Sequence, residues 1–246
     1  MLERYSMDLH IHTCLSPCGE SSSVPTKIVE AAVRKGMQAV AVCDHNATEN
    51  AASVRAAAQE RGLKVFGGME ITTKSEIHVL GIFDDDISLG KMQQLVYDHL
   101  EGTNDSDAFG PQYIVDEEDY VTGYNEHLLI GAAELEIEAV VSAIHDFGGM
   151  AVAAHVDRGM FSILSQLGFI PERLELDALE LSKNYRKSPF SLSGLGYPLV
   201  QFSDAHRPED IGSVFTEFLL EEPTVEELKL ATGKSRGRRI LTEIEV

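Results

Sequence analysis

The chain has 246 residues, 43% of them hydrophobic, with three cysteines and no tryptophan. That length suits one large domain or two small ones and buries a core without staples, while an odd cysteine count argues against a disulfide framework and for a reducing cytoplasm. The formal charge of −20, from 40 acidic and 20 basic residues, repels nucleic-acid backbones and anionic membranes at long range; no run is apolar enough to span a bilayer and no signal-peptide pattern opens the chain, so a cytoplasmic protein is expected, with neither a membrane nor long nucleic acid as partner.

Residues 5–12, YSMDLHIH, read as a strand in which Asp8, His10 and His12 share one face. A polar face on a first strand is odd for a core and apt for a metal ion. A helix follows at 25–37, with Pro25 near its start and Gly36 near its end, then a buried strand at 39–44 and a helix at 49–62. Strands at 63–72 and 76–83 come next. Residues 84–135 break the rhythm, apart from a helix at 88–101, and are expected to form an insertion, a lid or an interface element. A helix at 136–149 feeds a strand at 150–155. Strands at 176–182, 198–204 and 213–220 precede a closing helix at 224–233. Alternating strands and helices imply parallel β-structure with crossover helices, and about seven strands favour an α/β barrel over an open sheet. One domain is expected over 1–246.

The metal-type residues fall at strand ends. His10 and His12 end the first strand, Asp44 and His45 the second, Glu70 the third, and His155 the strand at 150–155; Asp204 and His206 follow the strand at 198–204. His78 lies early in its own strand. In parallel α/β folds the carboxyl ends of strands converge on one mouth. Taken singly, His78 is readable as a core histidine, Glu70 as turn chemistry and Asp44 as a helix cap. Only the shared position favours a site. Imidazoles mixed with carboxylates suit Zn²⁺, Mn²⁺ or Fe²⁺ better than Mg²⁺ or Ca²⁺. The donors exceed what one tetrahedral ion needs, so two or three divalent ions sharing a carboxylate are expected, a cluster able to hold hydroxide and clamp phosphoryl oxygens. His99, His127 and His145 read as surface or structural, and Cys43 as a buried apolar residue. Cys14, Cys18 and Cys43 lack the fourth thiolate of an iron–sulfur site. Arg158, Arg186 and Arg207 are candidates for substrate phosphate; Arg158 closely follows His155, and Arg207 directly follows His206.

In order, DLHIHT, CDHN, GGMEIT, IHVLG, AAHVD and SDAHRPEDIG resemble the blocks of the PHP (polymerase and histidinol phosphatase) family of metal-dependent phosphoesterases. The resemblance implies a distorted, TIM-barrel-like, seven-stranded β/α barrel. It implies one metal held by His10, His12, Glu70 and Asp204, a second by Glu70 with His78 and His155, and a third by His45 and His206. Many relatives continue the first block as H-T-x-x-S-D-G. Here Pro17 occupies the Asp position, and Cys18 as a thiolate, or Glu20, is the candidate replacement; a thiolate favours zinc or iron over manganese. The expected activity is hydrolysis of a small phosphate ester, a nucleotide or other phosphomonoester, through a metal-bridging hydroxide. Arg158 and Arg207 would stabilise charge, His45 or His206 would protonate the leaving oxygen, and Asp8 and Asp44 would orient ligand imidazoles. An amidohydrolase with a carboxylated lysine is disfavoured, because no lysine ends a ligand-bearing strand. A non-catalytic metal-binding regulatory or complex subunit is the alternative.

Overall fold

The computed structural model describes residues 1–246. In chain order the elements are β1 (Glu3–Ile11), α1 (Pro25–Arg34), β2 (Ala39–Val42), α2 (Glu49–Ala57), β3 (Lys64–Thr72), β4 (His78–Phe83), α3 (Asp86–Tyr97), α4 (Ser106–Phe109), β5 (Tyr113–Val115), β6 (Val121–Tyr124), α5 (Ile137–Asp146), β7 (Met150–Ala153), α6 (Ile163–Leu167), β8 (Ala178–Glu180), β9 (Leu199–Val200), β10 (Thr216–Leu220), α7 (Val225–Thr232) and β11 (Arg239–Ile240).

One sheet runs β11-β10-β1-β2-β3-β4-β7-β8-β9, so it has nine strands rather than seven. β10, expected at 213–220, pairs antiparallel with the first half of β1, and β11, which was not expected, pairs antiparallel with β10. The ring closes where Ile11 bridges Ala205, with the His12 N–H donating to the Ala205 carbonyl at 2.8 Å. Parallel pairing holds for β1-β2, β2-β3, β7-β8 and β8-β9, whereas β4 runs antiparallel to both neighbours. Reversing β4 brings its first residue, His78, to the end where the parallel strands finish.

Alternation along the strands separates two apolar layers. Met7, Leu9, Ala41, Phe66, Leu80, Ile82 and Val152 pack inside the barrel with Val225, Leu228 and Ala231 of α7. Val40, Val42, Met69, Ile71, Val79 and Ala153 pack outward against the helices. The interior is narrow. A Cβ added at Gly68 would lie 2.6 Å from Cys43 Sγ, so glycine is required there. Among residues 84–135, α3 buries Leu89, Met92 and Val96 in the outer layer. The separate hairpin β5-β6 and the loops around it pack through Leu15, Ala47, Leu100 and Leu129.

The expectation that Asp8, His10 and His12 share a face is corrected by a bulge. Asp8 pairs with Val40 and Ile11 with Val42, so β1 carries one extra residue between them. Met7 and Leu9 therefore face inward with Asp8 turned away, and beyond the bulge Ile11 faces outward. Asp8 does not orient an imidazole. Its carboxylate accepts from the Ser203 N–H (2.9 Å), the Ser203 hydroxyl (2.6 Å) and the Gly212 N–H (2.8 Å), tying the segment after β9 to β1. Burial raises the Asp8 pKa to about 6, with the Ser203 and Gly212 donors opposing that rise. Asp8→Ala leaves these donors unpaired where water has little access. It should cost about 2–3 kcal/mol in denaturant unfolding, and a loss below about 0.5 kcal/mol would show that Asp8 does not hold the closure.

Candidate metal centre

The strand ends meet at a half-open cavity of about 450 Å³ lined by Cys18, His45, Glu70, His78, His155, Arg158, Asp204 and His206, among others. Glu70 stands at its floor. Its Oε1 lies 2.8 Å from His78 Nδ1 and 3.0 Å from His155 Nε2. Its Oε2 lies 3.2 Å from His45 Nδ1, 3.3 Å from His12 Nε2 and 3.4 Å from His10 Nε2. Asp204 Oδ1 approaches His12 Nε2 at 3.1 Å and His10 Nε2 at 3.4 Å. Three overlapping groups have donor atoms mutually within 4.8 Å: His10, His12, Glu70 and Asp204; His45, Glu70 and His78; and His12, Cys18 and His45.

Local backbone aims these groups. The bulge in β1 turns His10 and His12 inward. His155 and Asp204 sit at φ of +30° and +50°, conformations that side chains other than glycine rarely adopt and that concentrate at functional sites. The loop after β1 is held by Ser16, whose Oγ lies 2.9 Å from His12 Nδ1 and accepts the His45 N–H at 3.0 Å. Gly19 is obligatory in that loop, since a Cβ there would lie 2.1 Å from the Thr13 carbonyl oxygen.

Sequence reasoning missed Glu180. Its carboxylate lies 2.9 and 3.1 Å from His10 Nδ1 and accepts from the His155 N–H at 3.3 Å. The signal was present as one acid, fully buried, at the end of the apolar strand β8. Ser16 was missed too. Asp44, expected to orient an imidazole, instead accepts from the Thr13 N–H and hydroxyl, both at 2.7 Å, and so anchors the loop.

The two arginines differ. Arg158 lines the cavity and donates to Asp204 Oδ2 at 2.5 Å. Arg207 is a correction: it is 52% exposed, bound to Asp210 at 3.2 Å and near Glu20 at 3.8 Å, outside the cavity lining, because the turn after His206 swings it away. Arg186 is a surface group near Glu245. His99 bonds the Leu95 carbonyl, His127 stacks on Tyr97 and His145 pairs with Asp177, all away from the centre.

The electrostatics fit a cation. Burial alone would push the Glu70 carboxyl up, yet His78, His45 and His10 hold it well below the usual range. Burial works to lower His12, but Asp204 and Glu70 raise it to about 9; His10 is likewise raised by Glu180, Asp204 and Glu70. The cluster thus gathers positive charge. Protons serve it poorly, because His10 Nε2 and His12 Nε2 face each other at 3.2 Å and cannot both carry a hydrogen along that line. A divalent ion held here by His10 and His12 would replace the protons and satisfy both nitrogens. Burial lowers His45 well below its ordinary value, against the pull of Glu70, and no hydrogen bond reaches His45 Nδ1 or His155 Nδ1. Burial, then the Glu70, Asp204 and Asp44 carboxylates, push the Cys18 thiol up.

Six imidazoles and three carboxylates at the mouth of such a barrel define a metal-dependent hydrolase. The family model for the PHP domain matches residues 8–187, and that for the PHP-associated region matches 194–233; the chain belongs to the PHP family. It is 33% identical over 85 residues to a 5′-3′ exoribonuclease of Haemophilus influenzae, covering 33% of this chain and 29% of that protein. The chain spans about half or less of the length of the curated relatives it matches. Its fold is similar to that of a lesion-specific endonuclease, PfuEndoQ, of Pyrococcus furiosus, with a TM-score of 0.73 at 19% identity over 97% of this chain and 58% of that one. A second endonuclease Q structure gives a TM-score of 0.72 at 18% identity, over 97% and 59% of the two chains, and holds a 27-mer duplex with an abasic lesion at the active site.

That finding overturns the exclusion of long nucleic acid, since a protein of similar fold holds duplex DNA at its active site. Net charge was the wrong quantity to reason from. Bound cations would set the field at the mouth, whatever the sum over the surface. No helix is long and apolar enough to cross a membrane.

Glu180→Gln keeps the shape but removes the charge on His10. Metal affinity should fall about 10–100-fold in a chelator competition with an unchanged circular dichroism spectrum. Equal affinity would deny Glu180 its role.

Proposed function

We propose that the chain is a phosphoesterase whose natural substrates are phosphate esters of nucleotides or nucleic acids. The observation that carries this is the split of Glu70: one oxygen faces His78 and His155, the other faces His10, His12 and His45. A carboxylate so placed suits the bridge between two ions. His10, His12, Glu70 and Asp204 would hold one, and Glu70, His78 and His155 the other. His45, His206 and Cys18 would form a third position. Bound ions of this kind supply Lewis acidity to phosphoryl oxygens and acidify water. The exoribonuclease and endonuclease relatives support a nucleic-acid or nucleotide ester over other phosphate esters.

The chain's own groups do the rest. Glu180 and Ser16 fix the His10 and His12 rings from behind. The Arg158 guanidinium, held by Asp204, offers its remaining N–H donors to the phosphoryl oxygens and stabilises charge as it builds there. Burial and His12 lower the His206 pKa, and its Nδ1–H donates to the Asp204 carbonyl oxygen at 2.8 Å, so the neutral ring leaves Nε2 unprotonated, suited to hold an ion at the third position or to accept a proton from an attacking water rather than to protonate the leaving oxygen. Residues 1–246 act as one domain in this reading, with 84–135 as an insertion that contributes Ile130 to the cavity.

The test is phosphate or nucleotide release from a panel of mononucleotides, cyclic nucleotides and short oligonucleotides. Activity should vanish with a chelator and return with Mn²⁺ or Zn²⁺. Glu70→Gln and His10→Ala should each lower kcat/KM by about 10³-fold or more without unfolding the barrel; near-normal turnover in both rejects the mechanism. Metal stoichiometry gives a separate check on Cys18. Cys18→Ser should lose part of the zinc bound by the wild type, and equal stoichiometry removes Cys18 from the ligand set.

A further inference from the structure

One stretch at the cavity rim is used by the metal centre only through Arg158. Residues Arg158–Phe161 stand exposed between two fixed points. On one side the Asp157 carboxylate accepts from the Ser182 N–H (2.6 Å) and hydroxyl (2.7 Å). On the other, the Ser162 hydroxyl donates to the Arg158 carbonyl (2.7 Å) and accepts from the Ser165 N–H (3.0 Å), capping α6. Ile163 and Leu164 behind it are buried. The turn is therefore presented by a rigid frame.

It presents unusual groups for the surface of an acidic protein. Met160 is 68% exposed and Phe161 38% exposed, and both line the cavity together with Ile130. Phe161 is held in place at a cost. Its φ is +57°, its carbonyl accepts the His78 N–H at 3.0 Å, and its ring stacks on the His78 imidazole with centroids 4.8 Å apart and planes 16° apart. His78 is in turn 2.8 Å from Glu70. The aromatic ring thus stands one stacking layer from the centre that would hold a phosphoryl group, and Arg158 of the same turn reaches Asp204 at that centre.

We propose that the Met160–Phe161 turn is a stacking platform for a nucleobase of the substrate, next to the phosphate under attack. This rests on the phosphoesterase reading for the position of the phosphate. The chemistry selects the occupant. The apolar part of the cavity lining is a planar ring, a polarisable thioether and the Ile130 side chain, with Cys18. Such a surface receives a flat, weakly polar face and offers little to the hydroxyls of a sugar or polyol phosphate. A base stacked on an aromatic side chain is bound without regard to its hydrogen-bonding edge, so the platform favours nucleotides as a class and not one base.

The absence of tryptophan from the chain makes the test direct. In the zinc-loaded full chain, Phe161→Trp creates a single fluorescent reporter. Adenosine 5′-monophosphate should quench it. Ribose 5-phosphate should compete with the nucleotide without quenching. In calorimetry, Phe161→Ala should weaken adenosine 5′-monophosphate about tenfold and ribose 5-phosphate less than threefold. An unquenched tryptophan under saturating nucleotide, or equal weakening of the two ligands, overturns the platform. Either result leaves the hydrolase reading standing, whereas base-dependent binding by a protein that cleaves no phosphate ester would reject that reading and keep the platform.

Discussion

The structure turns on one buried carboxylate. Five imidazole nitrogens approach the two oxygens of Glu70, between 2.8 and 3.4 Å away, with almost no solvent contact. Taking an acid out of water is costly unless positive charge compensates it. Here the compensation arrives from four separate pieces of chain: the end of β1, the residue after Asp44, the first residue of β4 and the residues after β7. Each must hold its place for the others to be stable. The fold is thus organised to bring these segments together, and the paired imidazole nitrogens that face each other show that protons alone do not complete the arrangement.

Three backbone devices make that convergence possible. The bulge in β1 lets one strand serve two tasks, since Asp8 looks outward to fasten the end of the barrel while His10 and His12 look inward. The reversal of β4 supplies a ligand from the start of a strand where its neighbours supply theirs from the end. Positive φ at His155 and Asp204 turns two further side chains into the mouth. Around this set a second layer of Glu180, Ser16 and Asp44 fixes rings and loops, so the donors are placed before any ion arrives.

How much of this was legible in the sequence follows from the same devices. Strand-end placement of His45, Glu70, His155 and Asp204 was readable, because short apolar runs such as AVAVC and MAVAA mark buried strands and where they stop. The parallel core was readable for the same reason. The bulge was not, since nothing in MDLHIH distinguishes a regular strand from one with an extra residue, and Asp8 was accordingly assigned to the wrong face. The direction of β4 is a tertiary choice with no local signal, so His78 taken alone looked like a core residue and joined the ligand set only through the ordered family blocks. Glu180 was visible as an acid in an apolar strand but had no histidine beside it in sequence; its partner is 170 residues away. Arg207 misled in the opposite way, since adjacency to His206 in the chain did not survive the turn. The charge of −20 misled most, because an average over the surface says nothing of the potential at a mouth built to hold cations.

Diffraction from zinc-soaked crystals, recorded on either side of the zinc absorption edge, tests the central claim most directly. The account requires two anomalous peaks, each within coordinating distance of a different Glu70 oxygen, one beside His10, His12 and Asp204 and the other beside His78 and His155. A soaked crystal with no peak at Glu70, or with zinc bound only at surface acids, would contradict it.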